Sequence, residues 1–415
     1  MKTIISAVVC GVMAVSVASA QQLTPAQKLV LSTNEDSLNA GVAKNKTVIS
    51  GYGSAYYQRN FNEQMSFATL ERAVLFVGHQ FNQKISFFSE MELENAKAGV
   101  GQENNGFAGE IAMEQAYLRF NLNPRQYVVA GLFIPRIGLL NENHLPVNFN
   151  GVERPLVEQV VIPATWRELG VGFYGRLRRL PLSYSIAVVN GLNSAAFSHG
   201  TGFKEGRAEG QGAFANNLAI TASLQYFWND FKFQVSGYAG GTNGLNKRKS
   251  DSLELSYGMA ALPMYLGEAD VQYARDGFAF KLLGAAVTFP DAAQVNRAYA
   301  NNVSKSMYGA YAEAAYNVLE HCRLKAQQLN VFARYEMFDL NSSIPYNGIY
   351  DGTQKQQHLI IGLGYLPVPN VVIKADVRLM HTGDENPDLV INPSPSRIPY
   401  KTNNSFLNIG IGYSF

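Results

Sequence analysis

The last ten residues constrain the fold of this chain more than any other stretch. Leu407, Ile409, Ile411, Tyr413 and Phe415 alternate with Asn408, Gly410, Gly412 and Ser414. Side chains point to opposite faces of a strand with period two, so one face is continuously apolar and the other small and polar. A strand between lipid and a water-filled lumen needs that division. The edge strand of a soluble sandwich is the alternative, and this stretch taken alone favours the membrane.

The alternation recurs along the chain, in segments 47–58, 67–79, 84–94, 111–122, 126–134, 168–176, 182–190, 217–228, 231–240, 262–273, 277–287, 308–318, 328–338, 358–366, 371–380 and 405–415. Their length suits a tilted crossing of a bilayer. Turn signals such as Asn123-Pro124 and Asn229-Asp230 join the segments pairwise. Longer connections fill the other positions: 59–66, 95–110, 135–167, 191–216, 241–261, 288–307, 339–357 and 381–404. The stretch 291–305 suits a short helix within one of these loops. Short turns on one side, long loops on the other and an even strand count predict an all-β fold. The expected architecture is a transmembrane antiparallel β-barrel of about 16 strands. The interior must be polar, because Glu90, Glu92 and Glu94 share one strand face and a dry core would leave them uncompensated. A wet interior accommodates them.

Residues 1–20 are best excluded from the fold. Lys2, an apolar run and Ala18-Ser19-Ala20 form the three parts of an export signal. Residues 21–46 are expected to be a short periplasmic segment, too small to plug a barrel, and 47–415 the barrel domain. Removing 1–20 takes away Lys2 and no acid, which leaves 33 bases against 32 acids. That balance argues against a nucleic-acid partner. Cys322 is then the only cysteine, so neither an internal disulfide nor a cysteine-based metal site is expected.

No enzyme, cofactor or metal motif stands up to its context. Gly170, Gly172 and Gly175 fit a dinucleotide fingerprint in spacing, but the segment is itself strand-like and another strand follows it. The six histidines lack metal-site spacing. His381 with Asp384, Glu385 and Asp388 is read as a solvated loop base rather than a cation site. A non-enzymatic protein is expected.

The loop 135–167 carries distinctive chemistry. It is long for a loop without work to do. It is stiffened by Pro135, Pro146, Pro155 and Pro163 and rich in residues that need burial, from Ile137 to Ile162. Folding into the lumen would bury them. The loop would then narrow the channel and present Arg136, Glu142, His144, Glu153, Arg154, Glu158 and Arg167 there. The alternative places it over the outer rim or against a second subunit.

Glu153-Arg154-Pro155, the run from Val161 to Glu168 (Val-Ile-Pro-Ala-Thr-Trp-Arg-Glu) and Gly170-Val171-Gly172 resemble the corresponding segment of porins similar to the phosphate-selective porins O and P. Glu114-Gln115-Ala116-Tyr117-Leu118 and Phe332-Ala333-Arg334-Tyr335-Glu336 fit the same pattern. The terminal Phe415 also resembles the assembly signal of bacterial outer-membrane barrels. The resemblance implies a homotrimeric diffusion channel with an inward constriction loop, integral to the bacterial outer membrane and inserted by the barrel-assembly machinery.

Strand phase gives the wall chemistry. The inward bases are Arg72, Arg119, Arg176, Lys281, Arg334, Lys374 and Arg378; the inward acids are Glu90, Glu92, Glu94, Glu168, Glu268, Asp270, Glu313, Glu336 and Asp376. A mixed wall of this kind orients polar solutes without selecting anions. The expected function is passive diffusion of ions and small hydrophilic solutes, with an anion or phosphate preference left open. A structural or ligand-binding barrel without an open channel is the alternative.

Overall fold

The computed structural model describes residues 22–31, 46–96, 109–322, 326–389 and 400–415. The expected export segment therefore lies outside the described residues. Sixteen strands follow in chain order: β1 Lys46–Asn60, β2 Met65–Gln80, β3 Ile85–Glu94, β4 Ile111–Asn123, β5 Gln126–Phe133, β6 Glu168–Arg176, β7 Leu182–Asn190 and β8 Leu218–Trp228. The second half comprises β9 Phe231–Gly241, β10 Pro263–Arg275, β11 Phe278–Thr288, β12 Ser306–Asn317, β13 Gln328–Ser343, β14 Lys355–Val368, β15 Val371–Thr382 and β16 Asn403–Ser414. Each pairs antiparallel with its neighbours, and β16 pairs with β1 to close the barrel. Closure leaves no unpaired edge. Phe415 completes it, exchanging both main-chain hydrogen bonds with Gly51 at 2.9 and 3.0 Å.

The alternation read from the sequence separates the two faces. Outward Ile49, Val171, Ile186, Ile220, Val235, Ile361 and Ile411 are each at least half exposed. At the short-turn end of β8–β11, Trp228, Phe231, Tyr273 and Phe278 form a continuous aromatic row with centroids 4.7–6.1 Å apart. Such a girdle is what an interface between hydrocarbon and headgroups selects. Within β6, Gly175 makes room for the Tyr184 ring, which a Cβ would meet at 2.4 Å. The glycine triplet is therefore part of the wall.

Two connections bear on the expectations. The stretch 59–66, expected among the long loops, is a four-residue turn, because β1 runs on to Asn60 and β2 begins at Met65. Gln64 makes the turn with φ of 53°. In 291–305 a helix does form, at Ala292–Tyr299.

Two β-bulges reset the inside–outside count. The β1–β2 register shifts at Ser54/Ala55, and the β3–β4 register shifts at Glu90/Met91. Each inserts an extra residue, Glu71 and Glu114 respectively, that plain alternation would point outward.

Residues Pro25–Leu31 form a short helix, α1, against the inner wall of β1–β3. Ala26 and Val30 are buried with Tyr52, Val74, Phe76, Phe88 and Leu145. Gly78 permits the approach, since a Cβ there would meet the Ala26 carbonyl oxygen at 2.9 Å. Arg119 donates from Nη1 to the Val30 carbonyl at 2.6 Å, satisfying a group that the helix end leaves open.

Candidate functional site: the inward loop and the lumen wall

The chain between β5 and β6 folds inside the barrel. Ile137, Val157, Val161, Ile162 and Trp166 are wholly buried there, and the Trp166 ring lies 4.8 Å from that of Tyr238 and 5.3 Å from that of Phe203. Glycines on the wall leave room for it. A Cβ at Gly309 would meet Val157 at 2.9 Å, one at Gly410 would meet Val152 at 2.9 Å, and one at Gly412 would meet Pro146 at 2.5 Å. The small face of β16 is thus the floor on which the loop rests.

A loop inside a barrel must place its backbone polar groups somewhere. Here the charged wall takes them. The Val152 amide donates to Asp376 at 2.6 Å and the Val157 amide to Glu336 at 3.0 Å. Lys374 donates to the Phe149 carbonyl at 2.8 Å and sits over that ring at 3.7 Å. Arg334 donates to the Asn150 carbonyl at 3.0 Å and also pairs with Glu313 and Glu336, at 3.1 and 2.7 Å.

The loop's own charges reach opposite sides of the wall. Glu142 binds Lys232 on β9 at 2.5 Å, Gln225 on β8 at 3.1 Å and Arg136 at 3.2 Å. Burial would raise the pKa of this carboxyl, but the charges of Lys232 and Arg136 outweigh it and hold it at about 2. Glu153 binds Arg378 on β15 at 2.6 Å and Gln58 on β1 at 3.3 Å. Glu158 accepts from the Leu139 and Leu140 amides at 2.8 and 2.7 Å and from the Tyr311 hydroxyl at 2.7 Å. His144 lies 3.0 Å from Glu90 and 3.6 Å from Glu114. Burial would lower its pKa, yet the charge of Glu90, the Glu114 carboxylate beside it and the hydrogen bond to Glu90 raise it to about 9. Arg167 pairs with Glu209 at 2.5 Å and lies 3.8 Å from Glu114. Arg72 pairs with Glu92 at 3.0 Å and Glu71 at 3.2 Å, with the buried Arg154 within electrostatic range of both acids.

The fourteen residues singled out from sequence therefore meet at one loop–wall contact, with the exception of Arg119. That residue serves α1 and stacks on Tyr127 at 3.8 Å. The environment departs from the expected one. Glu90 and Glu158 are fully buried and Arg334 is 2% exposed, so loop donors replace the water that the wall carboxylates were expected to need. Sequence reasoning missed Glu71 and Glu114, which the bulges turn inward. It also missed Lys232 and Glu209, which gain meaning only through Glu142 and Arg167.

No family model matches this sequence. A protein of Aquifex aeolicus (strain VF5), itself described as uncharacterized, is 31% identical over 340 residues, covering 79% of this chain and 74% of its own. The two belong to one family. Solved structures of the same fold include an anion-selective porin from Comamonas acidovorans (TM-score 0.53, 9% identity, 90% of this chain and 100% of that one). OprB of Pseudomonas putida superposes with a TM-score of 0.53 at 9% identity, over 89% of this chain and 94% of its own. Salmonella typhi OmpF, in complex with daunomycin, gives 0.51 at 13% identity, over 89% and 98%. This chain thus has the closed sixteen-stranded barrel seen in outer-membrane porins.

Proposed function

We propose that this protein is an integral bacterial outer-membrane porin through which ions and small hydrophilic solutes diffuse down their gradients, with 135–167 as its constriction. The carrying observation is the combination of an apolar, aromatic-rimmed outer face with a charged interior crossed by a stiff loop. Charges at this depth are tolerable only where they face water or partners. The cleft between loop and wall beside Leu140, Phe149, Gln272, Lys281 and Glu313 is only about 10 Å³, room for about one water, so solute would pass there only as the loop shifts. Residues 1–20 would direct export and 21–46 lead into the barrel, with α1 against its wall. Assembly as a homotrimer, insertion by the barrel-assembly machinery and a phosphate or other anion preference rest on the porin O and P resemblance. No catalytic step belongs to this reading.

The test is reconstitution in planar bilayers. Stepwise, nearly ohmic conductance is expected, and its absence would sink the proposal. Reversal potentials in a salt gradient then separate anion from cation preference. A variant neutralised at Arg136, Arg154 and Arg167 should shift them; unchanged selectivity would remove the loop from the eyelet. One observation favours a second reading, a plugged barrel that binds a surface ligand: the loop–wall contact is closed to outside solvent at Glu90, Glu158 and Arg334. A plugged barrel would conduct only after the loop is loosened.

A further inference from the structure

We propose that Glu90 of β3, Glu114 of β4 and His144 of the inward loop form a site for one divalent transition-metal cation of the zinc class, which ties the loop to the wall. The inference goes beyond the channel reading and does not depend on it.

The geometry is that of a ligand set. One donor atom from each residue lies within 4.8 Å of the other two, and His144 Nε2 stands 3.0 Å from Glu90 Oε1 and 3.6 Å from Glu114 Oε2. Ligands about 2.1 Å from a tetrahedral ion are separated by roughly 3.4 Å. The remaining carboxylate oxygens are held from outside. Glu90 Oε2 accepts from Gln115 at 2.6 Å, and Glu114 Oε1 accepts from the Thr165 hydroxyl. Second-shell contacts of this kind orient metal ligands. They leave Glu90 Oε1 and Glu114 Oε2 directed at the imidazole, and Glu114 Oε2, though buried, receives no hydrogen bond.

Two observations independent of that spacing point to a cation. Tyr52 is 1% exposed, and its hydroxyl has no hydrogen-bond partner. Its ring packs edge-on to that of His144 at 5.7 Å, within electrostatic range of Glu114, Glu90 and Glu92. A buried hydroxyl left unpaired is costly, and an ion with its bound water supplies the missing partner. Charge balance points the same way. Around the site stand the carboxylates of Glu71, Glu90, Glu92, Glu94 and Glu114 against the guanidinium groups of Arg72, Arg154 and Arg167, and Arg167 is shared with Glu209. The acids outnumber the bases even with His144 protonated, and a dication taking the place of that proton would offset the excess. An imidazole nitrogen with two carboxylate oxygens suits zinc and its neighbours better than calcium or magnesium, which take oxygen.

The test uses the untagged full chain in detergent, stripped with EDTA and dialysed against Zn2+ or Co2+. One Zn2+ per folded chain by mass spectrometry is expected, together with the visible bands of tetrahedral Co2+. Glu114→Gln and His144→Gln should each weaken binding at least tenfold, while His79→Gln and His381→Gln leave it unchanged. Less than a tenth of an ion per wild-type chain, or affinity that survives His144→Gln, overturns the proposal. Should the variants not fold, wild-type protein without tetrahedral Co2+ bands overturns it as well. Metal content is read whether or not the barrel conducts, so failure of the channel reading remains distinguishable.

Discussion

Replacing Glu158 by alanine should release the inward loop. The carboxylate is fully buried and gathers three donors: the Leu139 and Leu140 amides on Oε2, and the Tyr311 hydroxyl of β12 on Oε1. It therefore joins the first half of the loop to the second and both to the wall. Alanine leaves two buried amides and a phenol without an acceptor, each costing about 1–3 kcal/mol. Allowing for relaxation, the docked loop should lose about 3–5 kcal/mol. The lower figure already multiplies the undocked population by roughly a hundredfold. Glutamine should be far milder. Its carbonyl oxygen takes both amides, its NH2 faces Tyr311, and the phenol turns to accept, for a cost of about 1–2 kcal/mol. Single-channel recording and limited proteolysis of the loop read the outcome, with heat-modifiable migration confirming an intact barrel. Glu158→Ala should give larger or noisier steps and faster cleavage between 135 and 167, and Glu158→Gln should stay near wild type. Equal cleavage and conductance in wild type and Glu158→Ala, or equal damage from both variants, would refute the docking role.

Three further outcomes follow from the same contacts. The Glu142 carboxyl is held at about 2, below its ordinary 4.5, by Lys232 and Arg136. A depressed folded pKa stabilises above the unfolded value, so this anchor is complete above about pH 4.5 and is lost as pH falls toward 2. Protease sensitivity of the loop should rise across that window, and Glu142→Gln should flatten the rise. Gly412→Leu would drive a side chain into Pro146, where even a Cβ arrives at 2.5 Å. A cost of about 1–3 kcal/mol is expected, seen as a loosened loop in a barrel that still forms. Deleting Phe415 removes both main-chain bonds to Gly51 and a ring 53% exposed on the outer face. Assembled yield in membranes should fall, while conductance per assembled channel holds.

The barrel was legible because its determinants are local. Period-two alternation and turn chemistry repeat within each hairpin, so the ends of β6 and β7 emerge from sequence with no residue misplaced. What escaped was non-local. Counting by twos from Arg119 sends Glu114 to the outside, and no residue in that stretch announces the bulge that turns it in. Lys232 lies on the inward face of β9 with Gln234, but its partner Glu142 stands ninety residues earlier in the chain. The inward direction of 135–167 was readable from its apolar content. Its partners were not, because they come from strands on every side of the wall.

Those partners change how the wall charges should be understood. Counted from phase alone, seven inward bases and nine inward acids describe a transverse field across open water. In the structure Asp376, Glu336, Lys374 and Arg334 spend much of their hydrogen-bonding capacity on loop backbone, and Arg378 on Glu153. The ion-paired groups, Arg334 with Glu313 and Glu336 and Arg378 with Glu153, contribute little net field to a passing ion, whereas Asp376 and Lys374, held by neutral loop backbone, keep their charge. In the proposed channel, selectivity would then rest on Asp376 and Lys374 and on groups beside the loop that are less fully engaged. Lys281 is one, half-buried and with long contacts of 3.4 Å to the Asn148 carbonyl and 3.7 Å to Glu313. The charged wall is in the first place the means by which a sixteen-stranded barrel holds an apolar loop in its lumen.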